Sequence, residues 1–230
     1  MKKTRTSRAS ARWPLRLRRA ALAFALGVVL GPALPLAALR FVPPLGSALM
    51  LERWVEARAA GRSFRLRYDW VPARKIAPSL RAAVVASEDQ RFFEHGGFDW
   101  RSMQSAVGAW WDGERLRGAS TISQQVAKNL FLWPGRSFLR KGLEAWLTLW
   151  LEWLWPKPRI LEVYLNVVEL GDGVFGVEAA SRRHFGRSAA SLGRAESALL
   201  AATLPSPRRS SVANPSRTLR ERQRWILRQI

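Results

Sequence analysis

The 230-residue chain contains no cysteine, which excludes a disulfide framework, a thiolate metal site and a thiol nucleophile. Strand signals are few and no internal repeat is visible, which leaves a mainly α domain as the expectation. Acidic residues are missing altogether from residues 1–19, where Lys2, Lys3, Arg5, Arg8, Arg12, Arg16, Arg18 and Arg19 stand. Charge is also missing from residues 20–39, AALAFALGVVLGPALPLAAL. Twenty apolar residues rising about 1.5 Å each span about 30 Å, the hydrocarbon thickness of a bilayer. The run is longer than the apolar segment of a signal peptide and shows no clear small-x-small cleavage site before Arg40, so an uncleaved anchor is the expectation. Pro32 and Pro35 weaken its helix late in the run. The basic flank predicts a cytoplasmic N-terminus with the remainder across the membrane.

What the chain has in excess is positive charge. Its formal net charge is +21. Setting aside the eight cations before residue 20 leaves 30 against 17 acids, a net of +13, so the rest of the chain is basic in its own right. Such a field favours nucleic acid, acidic lipid headgroups or phosphorylated substrates. Export across a membrane argues against nucleic acid. Twelve tryptophans are also present, and tryptophan is enriched at membrane interfaces as well as in cores.

Residues 41–46 (FVPPLG) read as a linker, and 61–72 as an extended segment or short strand. Helical spacing covers 47–60, 79–89, 100–111, 121–131, 137–155, 159–170, 177–185, 191–204 and 216–230. Pro78 suits a helix start, and Pro134-Gly135, Pro156 and Pro158 suit helix stops.

Four segments carry the residues for chemistry. In EDQRFFEHGG, residues 88–97, Glu88 and Asp89 point about 100° apart on a helix, so at most one can face a given pocket. A carboxylate held among aromatics suits a general base; a solvated helix end with His95 as a cap is the plainer alternative. In the segment 118–129, Ser120 or Thr121 can cap a helix, with Gln124 in capping-box range of Thr121. Gln124 and Gln125 also offer amides suited to sugar hydroxyls, with Lys128 one turn beyond Gln124. Arg136, Arg140, Lys141 and Glu144 open a Trp-rich helix; Arg140–Glu144 could be an ordinary salt bridge, and the three cations could equally hold a diphosphate near a membrane. The fourth, 157–185, has Gly171, Gly173 and Gly176, but no buried strand precedes them, which argues against a nucleotide loop.

Taken in order, these segments resemble the family 51 glycosyltransferases, the peptidoglycan polymerases, over residues 75–215. The pattern ED-xx-F-xx-H-x-G is matched by Glu88, Asp89, Phe92, His95 and Gly97. GGSTI-x-QQ-xx-KN is matched by Gly118, Ser120 to Ile122, Gln124, Gln125, Lys128 and Asn129, with Ala119 in place of the second glycine. RK-xx-E is matched by Arg140, Lys141 and Glu144, and ILE-x-YLN with G-x-G-xx-G by Ile160 to Glu162, Tyr164 to Asn166 and the three glycines. Ala195, Glu196 and Pro205 match a fifth motif, and His184 stands where the family often has Tyr. The four lysines beyond the anchor (Lys75, Lys128, Lys141, Lys157) lack a serine three residues earlier, so the Ser-x-x-Lys nucleophile of the bifunctional members is missing and the monofunctional type is implied.

The resemblance implies a lysozyme-like helical glycosyltransferase domain with a small membrane-facing subdomain, preceded by one transmembrane helix. The expected organisation is a basic cytoplasmic tail 1–19, an anchor 20–39, a membrane-proximal segment 40–74 and the glycosyltransferase domain 75–230. It implies lipid II and the growing lipid-linked strand as substrates, Glu88 as general base and Glu144 as a second essential carboxylate. Asp89, Phe92, His95, Ser120, Thr121, Gln124, Gln125, Lys128, Asn129, Arg136, Arg140 and Lys141 are implied at the substrate site. A divalent cation, Mg2+ or Mn2+, is the expected cofactor. Inner-membrane lipids are expected partners, with cell-wall synthases or division proteins as further candidates and no nucleic acid. The implied location is the inner membrane, with the catalytic domain periplasmic. A lytic muramidase-like enzyme and a non-catalytic cell-wall scaffold are the alternatives.

Overall fold

A computed structural model describes residues 14–111, 120–135 and 137–230. The apolar N-terminal run folds as two helices, α1 (Leu15–Leu30) and α2 (Ala33–Leu39). The break falls at Gly31-Pro32, where proline supplies no N–H to the helix. Residues Leu15–Leu39 together form a stretch long and apolar enough to cross a bilayer, with a mean hydropathy of 2.2. This is one candidate membrane-spanning stretch, as expected, and its C-terminal part, α2, docks on the remainder of the chain. Leu36 is buried in the main core, and its carbonyl accepts the Trp155 indole N–H at 2.7 Å. Arg159 Nη2 donates to the carbonyls of Leu39 (2.7 Å) and Val42 (2.8 Å), and Arg40 Nη1 to that of Leu154 (2.8 Å).

Helix α3 (Ala48–Ala59) follows, capped by the Ser47 hydroxyl. Then come α4 (Pro78–Glu88), α5 (Trp100–Trp111), α6 (Ile122–Phe131), α7 (Phe138–Leu154) and α8 (Lys157–Val167), with α9 (Val177–Phe185), α10 (Arg194–Ala202) and α11 (Arg217–Leu227). Helix dominates, as the periodicity predicts. Helix α10 lies between α4 and α11, while α6 packs on α7 and α8. Leu80, Ile122, Leu151, Tyr164 and Leu200 are fully buried where these groups meet. Starts and stops follow local chemistry: proline opens α4 and α8, Ser137 caps α7, and Gly186 ends α9 in the left-handed conformation.

The expected helix over 159–170 runs too far. Helix α8 stops at Val167, and Glu169–Gly171 is a strand, β2, antiparallel to β3 (Val174–Phe175). Strand β1 (Arg67–Tyr68) pairs parallel with β3, so the extended segment at 61–72 becomes the third strand. Asn166 locks this unit, accepting from Val71 N (2.8 Å) and donating to Val71 O (2.9 Å). Gly176, at φ +80°, lies so close that a Cβ there would stand 2.5 Å from the Asn166 carbonyl oxygen.

Candidate active site

Helix α4 ends in Glu88, and the next residue has already left the helix. The two adjacent carboxylates therefore diverge. Glu88 faces a cleft of about 840 Å³, walled by Ser120, Gln125, Pro205 and, from α11, Thr218, Glu221, Arg222 and Trp225. A second chamber of about 410 Å³ shares Glu88, Ser120 and Trp225 and extends towards Asp99 and Ser102. Asp89 turns inward: it accepts the Ile122 N–H at the start of α6 (3.0 Å) and contacts His95 Nε2 (2.9 Å). His95 Nδ1 accepts the Gly97 N–H at 3.1 Å, which leaves the ring proton on Nε2, facing Asp89. Asp89 thus fastens the 88–97 loop to the electropositive N-terminus of α6.

That N-terminus carries the anticipated capping box. Thr121 Oγ1 accepts from Gln124 N (3.2 Å), and Gln124 Oε1 accepts from Thr121 N (3.0 Å). The Thr121 hydroxyl donates to the Gly97 carbonyl at 2.7 Å, a further tie between the first two motifs. Thr121 and Gln124 are buried there, so they build the frame beneath the cleft and do not line its larger chamber. Phe92 is fully buried beside them, with Lys157 Nζ 4.4 Å from its ring centre.

Gln125, one position on, does reach the cleft. Its Nε2 donates to Glu88 Oε2 (3.1 Å), and its Oε1 accepts from the Tyr164 hydroxyl (3.2 Å). The Tyr164 phenol is pushed well above its ordinary pKa by burial and then by the charges of Glu88 and Asp89, so it stays a donor. This relay fixes which end of the amide meets Glu88. The other Glu88 oxygen lies 3.2 Å from the Ser87 hydroxyl and 3.4 Å from Arg222 Nη2. Glu88 is consequently a held and largely desolvated carboxylate (14 % of the side chain exposed), in place of a solvated helix end.

One turn along α6, Lys128 and Asn129 line a smaller pocket of about 190 Å³ with Arg140 of α7 and with Leu49, Glu52 and Arg53 of α3. Beneath it Glu144 is buried and takes Arg140 on one oxygen (2.9 Å) and Lys141 on the other. This pairing is too enclosed to be an ordinary surface salt bridge. Lys128 keeps exposed surface, yet enough protein surrounds it that desolvation lowers its pKa, helped by Arg140 and Lys141 and opposed by Glu144 and Glu52. The structure therefore brings together Glu88, Ser120 and Gln125 in one cleft and Lys128, Asn129, Arg140, Lys141 and Glu144 beside it. Gly118, Ala119 and Arg136 lie outside the described residues.

Four contributors, from two helices, escaped the sequence reading. Arg222 and Trp225 come from a helix 134 or more residues beyond Glu88; the available signal was Arg222 on the same helical stripe as the apolar Leu219 and Ile226. Glu52 and Arg53 come from a helix read only for its apolar side, and Arg53 is fixed by buried Glu169 at 2.9 Å.

The donor set does not build a metal cage. Among the described residues no three His, Asp or Glu side chains converge, and both Glu144 oxygens already hold cations.

The transglycosylase family matches residues 57–230. The chain is similar to proteins named biosynthetic peptidoglycan transglycosylase. That of Chromohalobacter salexigens is 54 % identical over 83 % of this chain and 82 % of its own length. That of Pseudomonas fluorescens is 53 % identical over 94 % of this chain and 88 % of its own, and that of Xylella fastidiosa is 54 % identical over 83 % and 79 %. With identity at this level across most of both chains, and a family match that contains Glu88, Gln125, Lys128, Arg140, Glu144 and Arg222, the chain belongs to the transglycosylase family.

Proposed function

We propose that this transglycosylase polymerises peptidoglycan from lipid II, a disaccharide-peptide carried on undecaprenyl diphosphate, with the growing lipid-linked strand as donor. Glu88 accepts the proton of the acceptor's 4-hydroxyl as that oxygen attacks the donor's anomeric carbon. Attack from the face opposite the diphosphate inverts α to β and forms a β-1,4 bond. The observation carrying this reading is Glu88, the enclosed carboxylate of a cleft of about 840 Å³ whose other carboxylate, Glu221, is half exposed and paired with Arg217; a pocket lined by Lys128 and Arg140 lies one turn along α6.

A departing diphosphate needs charge stabilisation more than a proton, so cations at that end do the work a general acid does in a glycosidase. Lys128 and Arg140 supply it, with Lys141 alongside, and Glu144 orients the last two. A divalent cation would arrive on the substrate's diphosphate, since the carboxylates here are already paired. No step depends on it. The basic tail supports a reading with the N-terminus in the cytoplasm and the catalytic domain in the periplasm, beside inner-membrane lipids and a substrate that stays in the bilayer.

The test is incubation of detergent-solubilised full-length protein with labelled lipid II, with Mg2+ or Mn2+, beside Glu88→Gln. Lysozyme-sensitive polymer from the wild type alone is expected. Polymer from both would move the base elsewhere, to Glu144 first. Polymer from neither, under conditions where a known polymerase works, overturns the reading.

A further inference from the structure

Resting on that reading, we propose that α11 forms a saccharide subsite, with the Trp225 indole as the platform on which a sugar ring of the glycan stacks beside Glu88. Trp225 lines both chambers that contain Glu88, and among the described residues the two chambers share four side chains: Ser87, Glu88, Ser120 and Trp225. A sugar within hydrogen-bond reach of the Glu88 carboxylate therefore meets the indole whichever chamber it enters. The indole remains 36 % exposed although the next residue, Ile226, is fully buried in the core. Packing of α11 is thus supplied by Leu219 and Ile226, and the large apolar face of Trp225 is left open to the cleft.

The chemistry matches a pyranose. One face of such a ring presents C–H groups, which pack on an aromatic plane, while its rim presents hydroxyls and an acetamido group. Trp offers a rigid aromatic surface at low entropic cost. Around it, Thr218, Glu221 and Arg222 lie on the same face of α11 and line the larger chamber, where they can hydrogen-bond the rim. Ser120 offers a further hydroxyl from the other wall. The platform lies beyond the motifs that carry the family resemblance, so it governs how the glycan is gripped and registered against Glu88 and leaves the proton transfer to the motif residues.

The experiment compares full-length wild type, Trp225→Ala and Trp225→Phe in steady-state kinetics, varying lipid II at a fixed preformed lipid-linked tetrasaccharide and then the reverse. Trp225→Ala is expected to raise KM about tenfold for one of the two, with kcat within about twofold and thermal midpoint unchanged; Trp225→Phe recovers most of the loss. The affected substrate identifies the stacked ring as acceptor (lipid II) or donor (tetrasaccharide). Unchanged KM for both with Trp225→Ala overturns the proposal, as does a rise that Trp225→Phe fails to relieve.

A second readout does not need turnover. In protein labelled with 5-fluorotryptophan, the Trp225 resonance, assigned by its absence from Trp225→Phe, should shift on titration with lipid-free peptidoglycan fragments. A wild type that makes no polymer yet shows this shift would remove the polymerase reading and keep the platform. A wild type that polymerises without the shift would do the opposite.

Discussion

At the scale of single residues, the site turns on two charges, one of them held by few polar groups. Glu88 receives its best hydrogen bond from Gln125, whose amide is in turn oriented by the Tyr164 hydroxyl. That bond fixes where the carboxylate meets the attacking hydroxyl, and a misplacement of about 1 Å can cost about a hundredfold in rate. Gln125→Ala should therefore lower kcat about tenfold or more. Tyr164→Phe, which lets the amide turn over, should lower it by a smaller factor in the same direction, both measured on lipid II. Equal kcat in wild type and Gln125→Ala would remove this relay from the mechanism. Lys128, which keeps exposed surface, is the second charge. Its pKa lies below the ordinary 10.5, first through desolvation and then through Arg140 and Lys141, while Glu144 and Glu52 raise it. The unfolded chain binds that proton more tightly, so the charged ammonium costs stability at neutral pH, and the cost fades as pH climbs from the folded pKa towards 10.5. Lys128→Met should thus raise the thermal midpoint while abolishing polymerisation, as expected where stability has been given up for function. On the proposed role of Lys128, activity is expected to fall as pH rises through its lowered pKa. Glu144→Gln removes a charge that supports the protonated form, so the alkaline limb of its residual activity should move to lower pH. A limb that stays put would separate Lys128 from the reaction.

At the scale of elements, one helix terminus organises the site. The N-terminus of α6 receives Asp89, carries its own capping box and presents Gln125 and Lys128 on successive turns. Removing Asp89 leaves the Ile122 N–H and His95 without their carboxylate. At about 2–3 kcal/mol for a charge-assisted bond and a helix terminus, Asp89→Ala should lower the thermal midpoint by about 5–10 °C in a chain of this length, read by calorimetry. A midpoint within 1 °C of wild type would mean that the α6 terminus is anchored by Thr121 alone. Helix boundaries were legible because Pro78, Thr121, Ser137 and Pro156 act locally. The divergence of Glu88 and Asp89 was expected from the 100° between helical neighbours, but its cause is different, because α4 ends at Glu88 and Asp89 has left the helix. Strand Glu169–Gly171 was not legible, because its partners are β3 and, through it, residues 67–68 about a hundred positions earlier, while its own residues continue the apolar periodicity of α8. The α11 wall of the cleft was hidden likewise: Arg222 meets Ser87 and Glu88 only after α10 has brought α11 against α4.

At the scale of the whole molecule, the joint between membrane segment and catalytic domain is stiff where a flexible linker could have served. Helix α2 buries Leu36 in the core. The carbonyls that end α2 are taken by Trp155 and Arg159, and Arg40 returns a bond to the last turn of α7. Arg159 is the hub: besides Leu39 and Val42 it pairs with Glu162 at 2.6 Å and lies over the Trp70 ring at 5.2 Å. On the proposed function, such a joint would hold the Glu88 cleft at a fixed height and tilt above the bilayer, where the reacting groups of a lipid-linked substrate would lie at a fixed height too. A misplacement of about 1 Å can cost about a hundredfold in rate. In detergent the substrate can reorient with its micelle, so the joint matters less there. Arg159→Ala should accordingly slow polymerisation on the order of tenfold in lipid vesicles and change it by less than about twofold in detergent, from the same preparation. Equal losses in both media would mean that Arg159 acts through local packing against Trp70 and Trp155. A loss confined to vesicles would mean that the anchor sets the geometry of the reaction as well as keeping the enzyme beside its substrate, since a tether alone supplies only concentration and is indifferent to the angle at which it holds the domain.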